Sequence, residues 1–141
     1  MKYPELNATD PSTCLSGKVS RISRITANIF RKHIKPFGLS NSQMGLLLLL
    51  SKKNDLTQKD ICDILYMEKS TLNRNLKRLF DNKCVTKIHF PEIRITENGK
   101  ALLEQVIPAW KKAMVEVRNL LEEDGEEAVN TVLNKLKNTI S

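Results

Sequence analysis

The sequence predicts a mainly α-helical domain with one small β-hairpin wing, on three observations. Residues 69–79 sort by helical geometry: at ~100° per residue, Leu72, Leu76 and Leu79 cluster on one face, while Ser70, Arg74 and Lys77 centre on the opposite one. A second patterned stretch, Thr57 to Leu65, precedes it across the break Tyr66-Met67-Glu68, the spacing of a helix-turn-helix. After Asn82-Lys83 the apolar period shortens from helical to strand spacing, and it lengthens again beyond Thr96.

The elements follow in chain order. Residues 1–12, with Pro4, Asn7, Asp10 and Pro11, read as a loose arm. A helix is expected from about 14 to 35, because Val19, Ile22, Ile25, Ile29, Phe30 and Ile34 recur at helical spacing until Pro36 and Gly38 end it. Ser40 with Gln43 forms a capping-box pattern before the run Met44 to Leu50. That helix is apolar nearly all round and belongs at the centre of the domain. Asn54-Asp55 is a turn, and Thr57 caps the next helix with Asp60 at its third position. A two-residue turn at Phe90-Pro91 would set Ile88 opposite Ile93 and Lys87 opposite Arg94. Thr96 caps a long helix running to about Leu121, which Pro108 is expected to kink. Asp124 with Glu127 caps a last helix, whose Ala128, Val129, Val132, Leu133, Leu136 and Ile140 trace an apolar stripe.

A length of 141 residues suits a single domain, and 40% apolar residues suit a folded one. The net charge of +7 alone does not choose among nucleic acid, an acidic membrane surface and acidic proteins. Its distribution is more informative. Residues 69–94 hold seven basic side chains and two acids, and residues 18–35 hold six basic side chains and no acid, whereas 122–127 is acidic. The outer face of 69–78 offers Lys69, Ser70, Thr71, Asn73, Arg74, Lys77 and Arg78 without a carboxylate. Such groups hydrogen-bond guanine and adenine edges and neutralise phosphates, so double-stranded DNA is the expected partner. Lys69, Lys87 and Arg94 are expected at phosphates.

Cys14, Cys62 and Cys84 form no CxxC pair, and with two histidines there is no pattern for a metal; none is expected, nor any other cofactor. Cys62 and Cys84 read as packing residues. His33 and His89 stand apart from any nucleophile and orienting group, so the chain does not read as an enzyme. No apolar run is long enough to cross a bilayer, no signal peptide opens the chain, and free thiols suit a reducing cytoplasm.

Met67-Glu68-Lys69-Ser70-Thr71-Leu72-Asn73-Arg74-Asn75-Leu76-Lys77-Arg78-Leu79 and Ile95-Thr96-Glu97-Asn98-Gly99-Lys100-Ala101-Leu102-Leu103 resemble two signatures of the MarR family of bacterial regulators, winged helix-turn-helix homodimers. The helix order extends the likeness over roughly 14–140. The resemblance implies one domain over 1–141, with a DNA-binding core at 40–96 and dimerisation helices at 14–35 and 97–140. It also implies a small-molecule effector held between the dimer helices and the reading domain, with Trp110 nearby. Peroxide-sensing relatives carry a reactive cysteine where Cys14 stands, but use tyrosines that Tyr3 and Tyr66 do not match in position. One departure concerns the wing. The family's Asp-x-Arg segment, whose arginine enters the minor groove, is absent between Val85 and Thr96, which leaves Lys87, His89 and Arg94 for phosphate contact.

These features point to a sequence-specific transcriptional regulator, a repressor that binds a pseudo-palindromic operator as a homodimer and is released by a small ligand or oxidant. The competing reading is a winged-helix module that presents its basic face to an acidic protein.

Overall fold

The computed structural model describes residues 2–88 and 90–138. Seven helices and one two-stranded ladder follow in order among these residues: α1 (Pro4–Ala8), α2 (Leu15–Ile34), α3 (Asn41–Lys52), α4 (Gln58–Leu65), α5 (Lys69–Asp81), β1 (Val85–Thr86), β2 (Arg94–Ile95) and α6 (Glu97–Lys137), the last interrupted at Glu122 so that its C-terminal part counts as the seventh. Two short 3₁₀ turns, Pro11–Thr13 and Lys35–Phe37, flank α2.

Local chemistry sets most boundaries. Ser40 and Gln43 exchange side-chain and backbone hydrogen bonds in a complete capping box at α3, and Thr57 and Asp60 do the same at α4. Thr96 caps α6 by accepting from the Gly99 N–H at 3.0 Å. Gly38, at φ 77°, supplies the left-handed turn that reverses the chain from α2 into α3. Tyr66, also left-handed, closes α4 and opens the turn into α5.

The core is a single cluster with α3 at its centre, where Met44, Leu46, Leu47 and Leu50 are all buried. Leu72, Leu76 and Leu79 bring α5 against it, Ile61 brings α4, and Leu103 and Val106 bring α6. The leucine stripe thus does what its spacing predicts. Cys84 is buried in this cluster, and its thiol pKa is pushed up by that burial. Cys62 is half-buried at the margin of the core.

Three expectations need correction. The N-terminal arm is ordered into α1 and a 3₁₀ turn: Pro4 sits in the first turn of one, and Asp10 caps the other by accepting from Ser12. The wing has no two-residue turn. Val85 pairs with Ile95 and Thr86 with Arg94, so Lys87 and Ile88 lie beyond the ladder, and Ile93 instead bridges to Leu56. Pro108 lies inside α6, and the interruption of that helix falls at Glu122, at φ 61° and ψ −177°. The last stretch therefore begins directly after Glu122, before Asp124, whose carboxylate accepts from the adjacent Gly125 N–H and does not cap it with Glu127. Ile140 and His89 lie outside the described residues.

Helices α2 and α6 run against each other, pinned by Glu116, which accepts from Lys32 Nζ at 2.9 Å and meets His33 Nε2 at 3.2 Å. Hydrogen bonding to Lys32 first, and to His33 second, holds the Glu116 carboxyl below its ordinary range. Away from this contact α2 presents Leu15, Val19, Ile22 and Ile25, all more than half exposed. The distal part of α6 likewise presents Leu120, Val129, Val132 and Leu133.

Candidate nucleic-acid interface

Helix α5 stands as an exposed ridge on the core. Its leucine face is sealed, so the helical period places the polar residues outward. Lys69, Ser70, Asn73, Arg74, Lys77 and Arg78 are exposed, and Thr71 is half-buried. Arg74 donates through Nη2 to Thr71 Oγ1 at 3.4 Å, a long bond that leaves the guanidinium otherwise available. None of the basic side chains on α5 forms an ion pair among the described residues. Lys69 stands in the first turn, the positive end of the helix dipole, where a cation opposes helix stability and an incoming anion relieves it.

Clefts flank the ridge on both sides. Towards α4, an opening of about 400 Å³ is lined by Gln58, Lys59, Cys62 and Lys69. A neighbouring one of about 270 Å³ brings Gln58 and Lys59 beside Lys87, Phe90 and Pro91 of the wing. On the opposite side, a cleft of about 530 Å³ separates the C-terminal half of α5 from the α2–α3 corner, with Arg74, Lys77 and Arg78 on its wall and Asp81 at its end. Gln58 and Lys59 are residues that the sequence reading did not single out. The signal available was their place in the first turn of α4, next to the cap at Thr57.

The wing cations are engaged within the chain. Arg94 directs Nε and Nη2 onto Asp55 Oδ1, an ion pair with the turn between α3 and α4. Lys87 Nζ lies 4.6 Å from the centre of the Phe80 ring, a cation–π contact with α5. The expected juxtaposition of Lys87 and Arg94 is therefore not formed, and each charge has its own partner.

Cys14 is exposed and free; its Sγ caps α2 by accepting from the Gly17 N–H at 3.3 Å. No group of three or more metal-ligating side chains is brought together among the described residues, and none of their helices is long and apolar enough to cross a membrane. A separate opening of about 310 Å³ lies between α2, α3 and α6, lined by Phe30, Asn41, Met44, Leu48 and Trp110 among others.

Comparison with known proteins agrees with this architecture. Residues 37–92 match the model of the MarR family. The HTH-type transcriptional regulator YwoH of Bacillus subtilis (strain 168) is 33% identical over 70 residues, 50% of this chain and 51% of that protein. The alignment thus spans about half the length of that relative. Among solved structures, Bordetella bronchiseptica BpsR, described by the regulation of its DNA binding by 6-hydroxynicotinic acid, superposes with TM-score 0.82 at 19% identity over 92% of this chain and 98% of its own. The M. tuberculosis transcriptional regulator MosR in complex with DNA gives 0.75 at 23% identity, over 88% and 98%. CouR, a transcriptional repressor bound to p-coumaroyl-CoA, gives 0.80 at 20% identity, over 89% and 92%. At these identities the structural likenesses establish the fold.

Proposed function

We propose that this chain, whose residues 37–92 match the model of the MarR family, is a transcriptional regulator of that family and represses transcription by binding a pseudo-palindromic operator as a homodimer. Helix α5 enters the major groove. Ser70, Asn73, Arg74 and Lys77 meet base edges and adjacent phosphates, while Lys69, Thr71, Arg78 and Lys87 meet the backbone. Arg94 serves the interface by tying the wing to Asp55. The observation that carries this reading is the outer face of α5 from Lys69 to Arg78, cationic, exposed and free of carboxylates, standing as a ridge between two clefts. MosR supports it as a protein of the same fold in complex with DNA.

The apolar stripes on α2 and distal α6 supply the second half of the reading. Large exposed apolar patches mark association surfaces, and two α5 ridges must lie about 34–36 Å apart to read successive major-groove faces. Residues 14–35 and 97–140 are the proposed dimerisation segments around the 40–96 core. An effector in the opening beside Trp110 would act by altering α2–α6 packing and with it that separation; BpsR and CouR, whose descriptions name small molecules, favour a ligand over oxidation at Cys14.

The test is binding of the purified protein to its own upstream promoter fragment and to a scrambled duplex. Arg74→Ala and Ser70→Ala should each reduce the preference for the specific duplex by about tenfold, within the ~1–3 kcal/mol of a lost base contact, and leave helicity intact. Lys87→Ala should weaken both duplexes alike and lower the salt slope by about one charge. Unchanged affinity in both α5 variants removes the assignment.

A further inference from the structure

The corner between α2 and α3 carries a second group of cations that the reading helix does not explain. A cleft of about 620 Å³ runs between this corner and the side of α5. Arg31, in the last turn of α2, and Lys35, in the 3₁₀ turn that follows it, face Arg74 and Arg78 across it, with Asn75 between the last two and the N-terminus of α3 at Ser40. All four cations are exposed and none is ion-paired among the described residues; Arg31 meets only the neutral Asn28 amide, at 2.7 Å. No carboxylate lines this part of the cleft. The capping box engages the backbone N–H groups of Ser40 and Gln43, which leaves those of Asn41 and Ser42 as the unengaged donors of the first turn.

Four like charges converging without a counter-ion repel one another, and an anion between them relieves that repulsion. A planar guanidinium suits phosphate oxygens through paired donors, an ammonium adds a point charge, and the α3 N-terminus adds a positive dipole end. The volume accommodates a phosphate and its ester substituents.

We infer that this cleft is a phosphate-binding site, and that it clamps the DNA backbone just outside the half-site read by α5. The inference rests on the DNA-binding reading above and deepens it: one wall of the cleft belongs to α5 itself, so a duplex seated on α5 carries its flanking phosphates past Arg31 and Lys35. A free phosphorylated compound has the same recognition chemistry, and the test separates the two sources.

The variant is Arg31→Ala with Lys35→Ala, whose side chains are exposed and outside the core; matching circular dichroism establishes that it folds. Affinity is measured over a salt series on two duplexes, one ending at the half-sites and one extended on both flanks. Wild type should bind the extended duplex about tenfold more tightly. The double variant should lose that gain, with a salt slope reduced by about 1.8 per protomer at ~0.9 per phosphate contact, and keep the preference for the specific over the scrambled sequence. Arg74→Ala, by contrast, should lose that preference, so failure of the major-groove reading and failure of this one are distinguishable. In parallel, the protein without DNA is titrated with inorganic phosphate and with ADP while the Asn41 and Ser42 amide resonances are followed. A saturable shift that the double variant abolishes, with no effect of that variant on the extended duplex, assigns the site to a free phosphorylated compound. No effect in either arm overturns the phosphate site.

Discussion

Replacing Gly99 by alanine tests the seam between the reading helix, the wing and the long α6. Gly99 is the third residue of α6, and a Cβ there would lie 2.4 Å from the Cys84 carbonyl oxygen and 2.7 Å from Ile95 Cγ1. A comfortable C···O approach is about 3.3 Å, so backbone on one side must retreat by roughly 0.9 Å. That carbonyl accepts from the Thr96 N–H at 2.9 Å, and the Cys84 N–H in turn donates to the Leu79 carbonyl at 2.8 Å, so the displacement strains the C-terminus of α5. Overpacking accounts for ~1–3 kcal/mol and the weakened hydrogen bond for ~1. The helical preference of alanine returns up to ~1 kcal/mol, which leaves a net loss of about 1–3. Thermal unfolding should move down by roughly 4–12 °C, and urea titration followed by helicity should give the same sign. Gly45→Ala is the matched control. It lies inside α3 with nothing within 4 Å of the added carbon, so it should stabilise by up to ~1 kcal/mol. A Gly99→Ala protein as stable as wild type would refute the close approach of α6 to β1.

Thr57→Ala removes the acceptor for the Asp60 N–H in the α4 capping box, 3.1 Å long in the native chain, and should lower stability by about 1 kcal/mol in urea titration. Glu116 has a folded pKa below its unfolded one, through Lys32 and then His33. Its contribution to stability is therefore complete above the ordinary glutamate value of about 4.3 and disappears as pH falls through the lower folded value. Glu116→Gln should flatten the acid limb of the stability profile in that window, and an unchanged limb speaks against the pair. Ile22→Glu, on the exposed stripe of α2, should shift sedimentation equilibrium to monomer with helicity retained; a dimer of undiminished strength would remove α2 from the proposed interface.

How much was legible in the sequence followed the range of the forces involved. Capping boxes at Ser40 and Thr57 and the Leu72–Leu76–Leu79 stripe are set within a turn or two, and all formed as their spacing implied. Pro4 and Pro11 misled because proline opens a helix as readily as it ends one, and both occupy first turns. The wing register was lost for a different reason. Its ladder is only two residues per strand, so local alternation has little weight, and the bridge from Ile93 to Leu56 decides the alignment from a distant turn. The same distance hid Asp55 as the partner of Arg94. Of the site, the α5 face could be read from one helix, whereas Arg31, Lys35, Gln58 and Lys59 join it only through tertiary packing. The basic run at 18–35 marked the charge but not its place.

The internal engagement of the wing shapes how recognition is divided. Arg94 is held by Asp55, so moving it to a phosphate would exchange one charge-assisted bond for another and leave Asp55 facing the DNA backbone. Lys87 gives up a ring contact of about 0.5–1 kcal/mol and regains a phosphate, a smaller sacrifice. The wing tip beside them is apolar, with Ile88 and Phe90 at least 80% exposed. Under the DNA-binding reading, such a wing adds one usable cation per protomer, where α5 adds four and the α2–α3 corner two. Discrimination then falls on the major-groove helix, and the electrostatic grip shifts from the wing side of α5 to the opposite flank, where the uncompensated charge lies.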